Sequence, residues 1–436
     1  MYLLIIVLLS TLFADIITPD DIDILKKYKD TDYQSSSHYN SFNILITKDL
    51  EIDDANICML VYEACLFNDE LSLANKYLNM AIGIDKSNES YRDISFKLEE
   101  YRELLSRAKK TYEKDLFDES ARDYLNIITK YPNRALPYYE QGIVYRSMKE
   151  YDKAIDSFNS AMKLNPNKEL YKKAIISIAQ RIAQEADQDA KRQDYNSAIP
   201  KYLQAIEYYP EFTQALFNLA KAFYFLTDYE NSKKYLLLNI EVDSNQDQSF
   251  KMLADIYRKE RNVDEAINYY KRAVEANPNY YKAYYSLATL YMNSSPNEAK
   301  AYLQKVVDIK PDYSKGYEAL GILNMQLGEY DSALQNLLLV SELDSRNYKC
   351  NYLLADIYIQ RASANNSKED FSTAKGYAKK ALSIKRNCAP AYFYLGLSEK
   401  GLGNKPAAKD AFEKAKSNKD WRANAAYELE LLEKGK

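Results

Sequence analysis

The 436 residues contain one histidine, one tryptophan, four cysteines, ten glycines and eleven prolines. A single histidine, His38 among the serines Ser35 to Ser37, rules out a His-x-x-x-His metal helix and any histidine-based triad. So few glycines leave no phosphate-cradling loop, and so few helix breakers suit a mostly helical chain. The cysteines give neither metal spacing nor a disulfide framework. Cys58 and Cys65 lie about 10 Å apart along one helix at 1.5 Å per residue, too far to bridge. Cys350 and Cys388 fall near the starts of neighbouring helices, where a bridge is conceivable but not expected. The net charge of −4 excludes a strongly basic nucleic-acid binder. It is unevenly spread, with ten acidic against four basic residues from Asp15 to Leu60, and fifteen basic against nine acidic from Asn365 to Lys436. Both stretches read as solvated surface, with head-to-tail attraction or an acidic partner at the C-terminal end as the sharper alternative.

Long apolar runs are missing too, apart from Met1 to Ala14 (MYLLIIVLLSTLFA). Fourteen residues suit a signal-peptide core better than a membrane span, which needs about 20. No basic residue precedes the run, and Leu12 is large where a small residue is preferred, so an uncleaved anchor is the rival reading. The expectation is export to a periplasmic or extracellular location, with membrane contact only through residues 1–14 if they stay attached. A mis-assigned start would instead leave the chain cytoplasmic.

What is abundant is tyrosine, 42 residues of it, set in a repeating pattern. Ala135 to Asn167 (ALPYYEQGIVYRSMKEYDKAIDSFNSAMKLNPN) aligns place by place with the stretch from Asp247 (DQSFKMLADIYRKERNVDEAINYYKRAVEANPN). Segments from about Thr213, Tyr281, Ser314, Tyr348 and Ala389 follow the same order. Small residues such as Gly142, Ala254, Ala288, Gly321, Ala355 and Gly396 answer Ala154, Ala266, Ala299, Ala333, Ala374 and Ala408. Large residues fill the space beside each small pair, as close-packed antiparallel helices require. Pro132, Pro166, Pro210, Pro278 and Pro311 stop the second helix of a pair.

This order resembles the tetratricopeptide pattern of about 34 residues, with its large–small pair, tyrosine, two alanines, aromatic and proline. The resemblance implies an all-α fold, an α-α superhelical solenoid. About ten units run from Ala55 to about Arg422: degenerate ones over 55–134, and about eight over 135–422, some lengthened. Extra residues at Ser87 to Glu100, Asn167 to Ile178 and Arg361 to Lys368 read as longer helices, not inserted domains. Residues 423–436 read as a C-terminal capping helix, which such arrays need. Residues 15–54 read as a mostly flexible leader with one short helix at Asp20 to Lys29.

In proteins of this kind the first helices line a concave face that takes partner peptides or proteins. Carried onto this chain, the groove would include Tyr139, Phe217, Tyr224, Lys251, Tyr285, Met292, Met325, Tyr352 and Phe393, with core packing between repeats as the plain alternative. Some relatives grip a chaperone's terminal carboxylate with basic and amide side chains. The best-placed positions here are Lys251, Asp255, Ser286, Lys315 and Ala319, and only the two lysines suit an anion. No catalytic residue, metal ligand or cofactor is expected, because the repeats leave no room for a catalytic domain. The function read from the sequence is a non-catalytic scaffold for proteins of a cell-envelope complex. The alternative is an intracellular co-chaperone-like adaptor.

Overall fold

In the computed structural model, which describes residues 15–48 and 50–434, the chain forms 23 helices and one minimal strand pair. That pair joins Asp15–Ile16 to Leu50–Glu51 in parallel register. The expected signal peptide or anchor at residues 1–14 lies outside the described residues. Two compact units divide at Thr227 and Asp228, and each is an array of antiparallel helix pairs.

Most pairs close the same way, for a local reason. The second residue after the first helix turns left-handed, as at Asp69, Asp115, Lys149, Gln193, Arg261, Gly328 and Gly403. The next amide then reaches back to a carbonyl five residues earlier, as from Glu150 N to Tyr145 O at 3.0 Å and from Glu329 N to Asn324 O at 2.8 Å. This wrap satisfies carbonyls that the helix end leaves open, and it reverses the chain within four residues. The second helix then packs where the first is smallest. A Cβ placed on Gly142 would lie 2.5 Å from the Phe158 ring, so only glycine admits that approach.

In the first unit the pairs are Ala55–Phe67 with Leu71–Ile84, Glu89–Glu113 with Phe117–Lys130, Ala135–Ser147 with Tyr151–Leu164, and Glu169–Lys191 with Tyr195–Tyr208. The helix Thr213–Phe225 follows. The two long first helices, of 25 and 23 residues, absorb the extra residues seen in the sequence. In the second unit the helix Tyr229–Val242 precedes five pairs running from Asp247 to Lys416. Here the seven or so extra residues are shared between partners, Tyr348–Asn365 and Lys368–Ile384. The last helix, Arg422–Glu433, buries Ala425 and Leu429 against Ala408, Phe412 and Ala415, closing the apolar end of the array.

One expectation fails. Residues 15–54 are not a flexible leader: they form two helices, Pro19–Asp30 and Ser36–Ile46, that cap the first pair. Thr18 and Asp21 make a reciprocal capping box at the first of these. Leu25, Tyr28, Phe42 and Leu45 join the core around Val61, Cys65 and Tyr77, and the Tyr28 ring stacks on Phe42 at 5.2 Å. Helices of 12 and 11 residues show too few turns for their period to stand out among Asp and Ser. Their order comes from tertiary burial.

All four cysteines are free and buried, and the Cys350 thiol donates to the Leu337 carbonyl at 3.0 Å.

Candidate functional site

The nine groove residues read from the sequence are all half-buried, eight on first helices and Met292 directly after one. Most meet a neighbouring ring or core. Tyr139 packs between Phe158 at 5.6 Å and Tyr171 at 5.2 Å, and burial raises the pKa of its phenol. Tyr285 meets Tyr313 edge-on at 5.7 Å and, with Met292, covers the core formed by Ala288, Leu303 and Leu320. Met325 covers the next core, around Leu337 and Leu354. Tyr352 lies parallel to Tyr394, and Phe393 contacts both Phe412 and Trp421. These side chains space one repeat from the next and keep one edge at the surface.

Lys251 is different, since its ammonium pairs with Asp255 at 2.5 Å. Asp255 also accepts the hydroxyl of Tyr270 at 2.5 Å. The same device recurs in the first unit, where Tyr202 donates to Asp187 at 2.5 Å and Asn218 donates to the same oxygen at 2.8 Å. In both repeats an aspartate on the first helix faces a tyrosine fifteen residues later on the second. Burial and the adjacent carboxylate push both phenols well up, so each stays a donor. Sequence reasoning missed these pairs. The signal was present, as Tyr in place of Phe at the aromatic position with Asp just after the small residue.

The Asp187 pair stands at the base of a cleft of about 460 Å³ within the first unit. Its walls are Lys191, Tyr195, Tyr202, Asn218, Lys221 and Phe225, and Tyr195 stacks on Phe225 at 5.1 Å. That volume falls in the range of small-ligand or side-chain pockets, on the order of 300–1,000 Å³. The helix Thr213–Phe225 presents Asn218, Lys221, Ala222 and Phe225 to it, at i, i+3, i+4 and i+7. Phe217 and Tyr224, the residues picked from the sequence, sit one position away from that stripe and do not line the cleft. The cleft combines a fixed carboxylate, two exposed lysines and an aromatic wall. Such a set suits hydrogen bonding and stacking and supplies no nucleophile with a base beside it. Among the described residues no three His, Cys, Asp or Glu side chains converge as metal ligands. No described helix is long and apolar enough to cross a membrane.

The repeated order of residues is matched by family models. Models of the tetratricopeptide repeat fit residues 135–168, 171–232, 251–314 and 390–418. The chain is a tetratricopeptide-repeat protein. A tetratricopeptide repeat-containing protein of Methanocaldococcus jannaschii is 23% identical over 205 residues, which is 42% of this chain and 35% of that one. The human E3 SUMO-protein ligase RanBP2 is 36% identical over 62 residues, 14% of this chain and 2% of the ligase. The chain thus spans about a third of the archaeal relative and a small fraction of the ligase. Among solved structures, the C-terminal part of a repeat protein from Cytophaga hutchinsonii aligns with 56% of this chain and 98% of its own. Its identity is 19% and its TM-score 0.46. In this tetratricopeptide-repeat protein the models cover both the repeat that holds the Asp187 pair and the one that holds the Asp255 pair.

Proposed function

We propose that the chain is a non-catalytic protein-interaction scaffold that takes partner peptides against its first helices. The observation that carries this reading is the cleft beside Asp187, Tyr202 and Asn218, which offers a fixed acceptor, an aromatic wall and two lysines to one chain segment. Proteins of this family bind other proteins or peptides. Half-buried aromatic edges at Tyr139 in the first unit and at Tyr285, Tyr352 and Phe393 in the second offer similar chemistry, and such residues are favoured at interfaces. We assign the scaffold to the cell envelope, in assembly or maintenance of a complex, on the strength of the apolar Met1 to Ala14 run. The co-chaperone reading is the weaker one. Lys251, which would grip a terminal carboxylate, is already neutralised by Asp255.

The test is a pull-down from the source cells with wild type and with Asn218→Ala, Lys221→Glu. These changes touch the cleft wall and leave the repeat cores intact. A specific partner lost from the double variant supports the reading, and a partner set that does not change refutes it. Sequencing the mature N-terminus from fractionated cells tests the location, and an intact Met1 in the soluble cytoplasm refutes export.

A further inference from the structure

The turn between helices Ala55–Phe67 and Leu71–Ile84 is docked on a linker about a hundred residues further along the same unit. Lys168 Nζ donates to the Asn68 carbonyl at 2.6 Å and lies 3.4 Å from a Glu70 carboxylate oxygen. Asn165 Nδ2 donates to the Phe67 carbonyl at 3.2 Å, and Asn167 Nδ2 to the Tyr33 carbonyl at 3.2 Å. The Tyr171 hydroxyl donates to the Asp69 carboxylate. Every one of these contacts is polar. The apolar cluster behind the turn, with Cys58, Val61, Cys65 and Tyr77, shares no residue with the cluster of Ala135, Ala161 and Tyr171 behind the linker. Contacts that build one core are apolar, whereas polar contacts between separately cored bodies resemble exchangeable interfaces.

The fit has one flaw. Asn165 is fully buried, and no protein donor reaches its Oδ1. Buried amide oxygens are almost always partnered, so this one is an acceptor that the chain's own turn fails to use.

We propose that the segment Asn165–Tyr171 is a receptor for a turn-shaped peptide segment with a carboxyl side chain at its tip, occupied in cis by the Phe67–Glu70 turn and yielded to a partner segment of the same chemistry. The receptor reads two backbone carbonyls through Asn165 and Lys168, and the side-chain carboxyl through Tyr171. An incoming segment with an N–H aimed at Asn165 Oδ1 makes one hydrogen bond more than the resident turn. A tethered ligand acts at an effective concentration of about millimolar, so wild type binds a trans segment weakly until the turn is released. Docking of this turn involves none of the residues lining the Asp187 cleft, so it stands or falls separately from the scaffold reading.

The probe is a fluorescein-labelled peptide with the sequence of residues 62–75, added to the full chain. Asp69→Gly removes the carboxylate and keeps the left-handed turn, where Asp69 has φ +63°. This variant is expected to bind the peptide at least tenfold more tightly than wild type. Adding Lys168→Ala and Tyr171→Phe is expected to abolish that binding. Equal affinity in wild type and Asp69→Gly, or binding that survives the receptor changes, overturns the proposal. Should Asp69→Gly not fold, the receptor double variant alone decides. Faster amide exchange across residues 66–71 with unchanged circular dichroism supports a separable contact, and unchanged exchange refutes it.

Discussion

Two glycines of the second unit make opposite predictions from one physical argument. Gly396 lies inside the helix Ala389–Gly401, and a Cβ added there would sit 2.5, 2.6 and 2.8 Å from three atoms of the Phe412 ring. Ordinary contacts begin near 3.4 Å, so the ring must move by almost 1 Å. It has little room, because Phe412 is fully buried and the Phe393 ring is 5.7 Å away. Overpacking of this kind costs about 1–3 kcal/mol, and the confinement places it in the upper half. Replacing Gly by Ala inside a helix returns about 1 kcal/mol. Gly396→Ala is therefore expected to destabilise the unit by about 1–2 kcal/mol. Gly376, exposed within Lys368–Ile384, has nothing within 4 Å of the added carbon. Gly376→Ala keeps the helix gain alone and is expected to stabilise by about 1 kcal/mol. Urea unfolding followed by far-ultraviolet circular dichroism measures both. Amide exchange across residues 389–416 localises the effect, because repeat arrays need not unfold in one step. Gly396→Ala at or above wild-type stability would refute the close-approach argument. So would a double variant with Phe412→Leu whose losses simply add, since removing ring atoms should relieve the clash.

Tyr270→Phe removes the buried hydroxyl that donates to Asp255 while leaving Lys251 and Arg258 beside the carboxylate. A loss of about 1.5 kcal/mol in urea unfolding is expected, and a loss below about 0.5 kcal/mol contradicts the pairing. Burial pushes the Cys58 thiol up to about 11 and those of Cys65 and Cys350 up to about 12, and Cys388 also rises. At pH 8 iodoacetamide should leave all four unmodified in the folded chain and alkylate all four in urea, as mass spectrometry would read. Burial also raises the carboxyl of Asp69 in the Phe67–Glu70 turn, with Tyr171, Lys168, Arg134 and Glu70 facing it. The docked turn then holds its proton more tightly than the open one. Docking is thus fully favoured below the ordinary carboxylate value and weakens as pH rises through the raised one. Exchange protection of residues 66–71, corrected for intrinsic rate, should fall across that window. Protection that rises with pH refutes the assignment.

The all-helical character and the pairing of helices were legible because each rests on local spacing. Gly142, Ala254 and Gly396 recur where helices cross, and the surplus before Tyr101 and Ala179 could only lengthen a helix. The cleft was not legible in the pattern: at Thr213–Phe225 its lining stripe lies one residue from the one chosen, about 100° round the helix. Core-facing and groove-facing aromatics carry the same residue types, so pattern cannot separate them.

From its residues alone the chain settles its secondary structure and nearest-neighbour packing, since both depend on contacts within about one repeat. The folding of residues 15–54 onto the first pair, the Asp187 cleft and the docking of Phe67–Glu70 on Asn165–Tyr171 were decided only in three dimensions. The first and the last join groups that no fixed interval relates, and the cleft adds Asn218 and an aromatic wall to a pair that does recur. Their energy comes from burial and hydrogen bonds formed after the repeats have stacked.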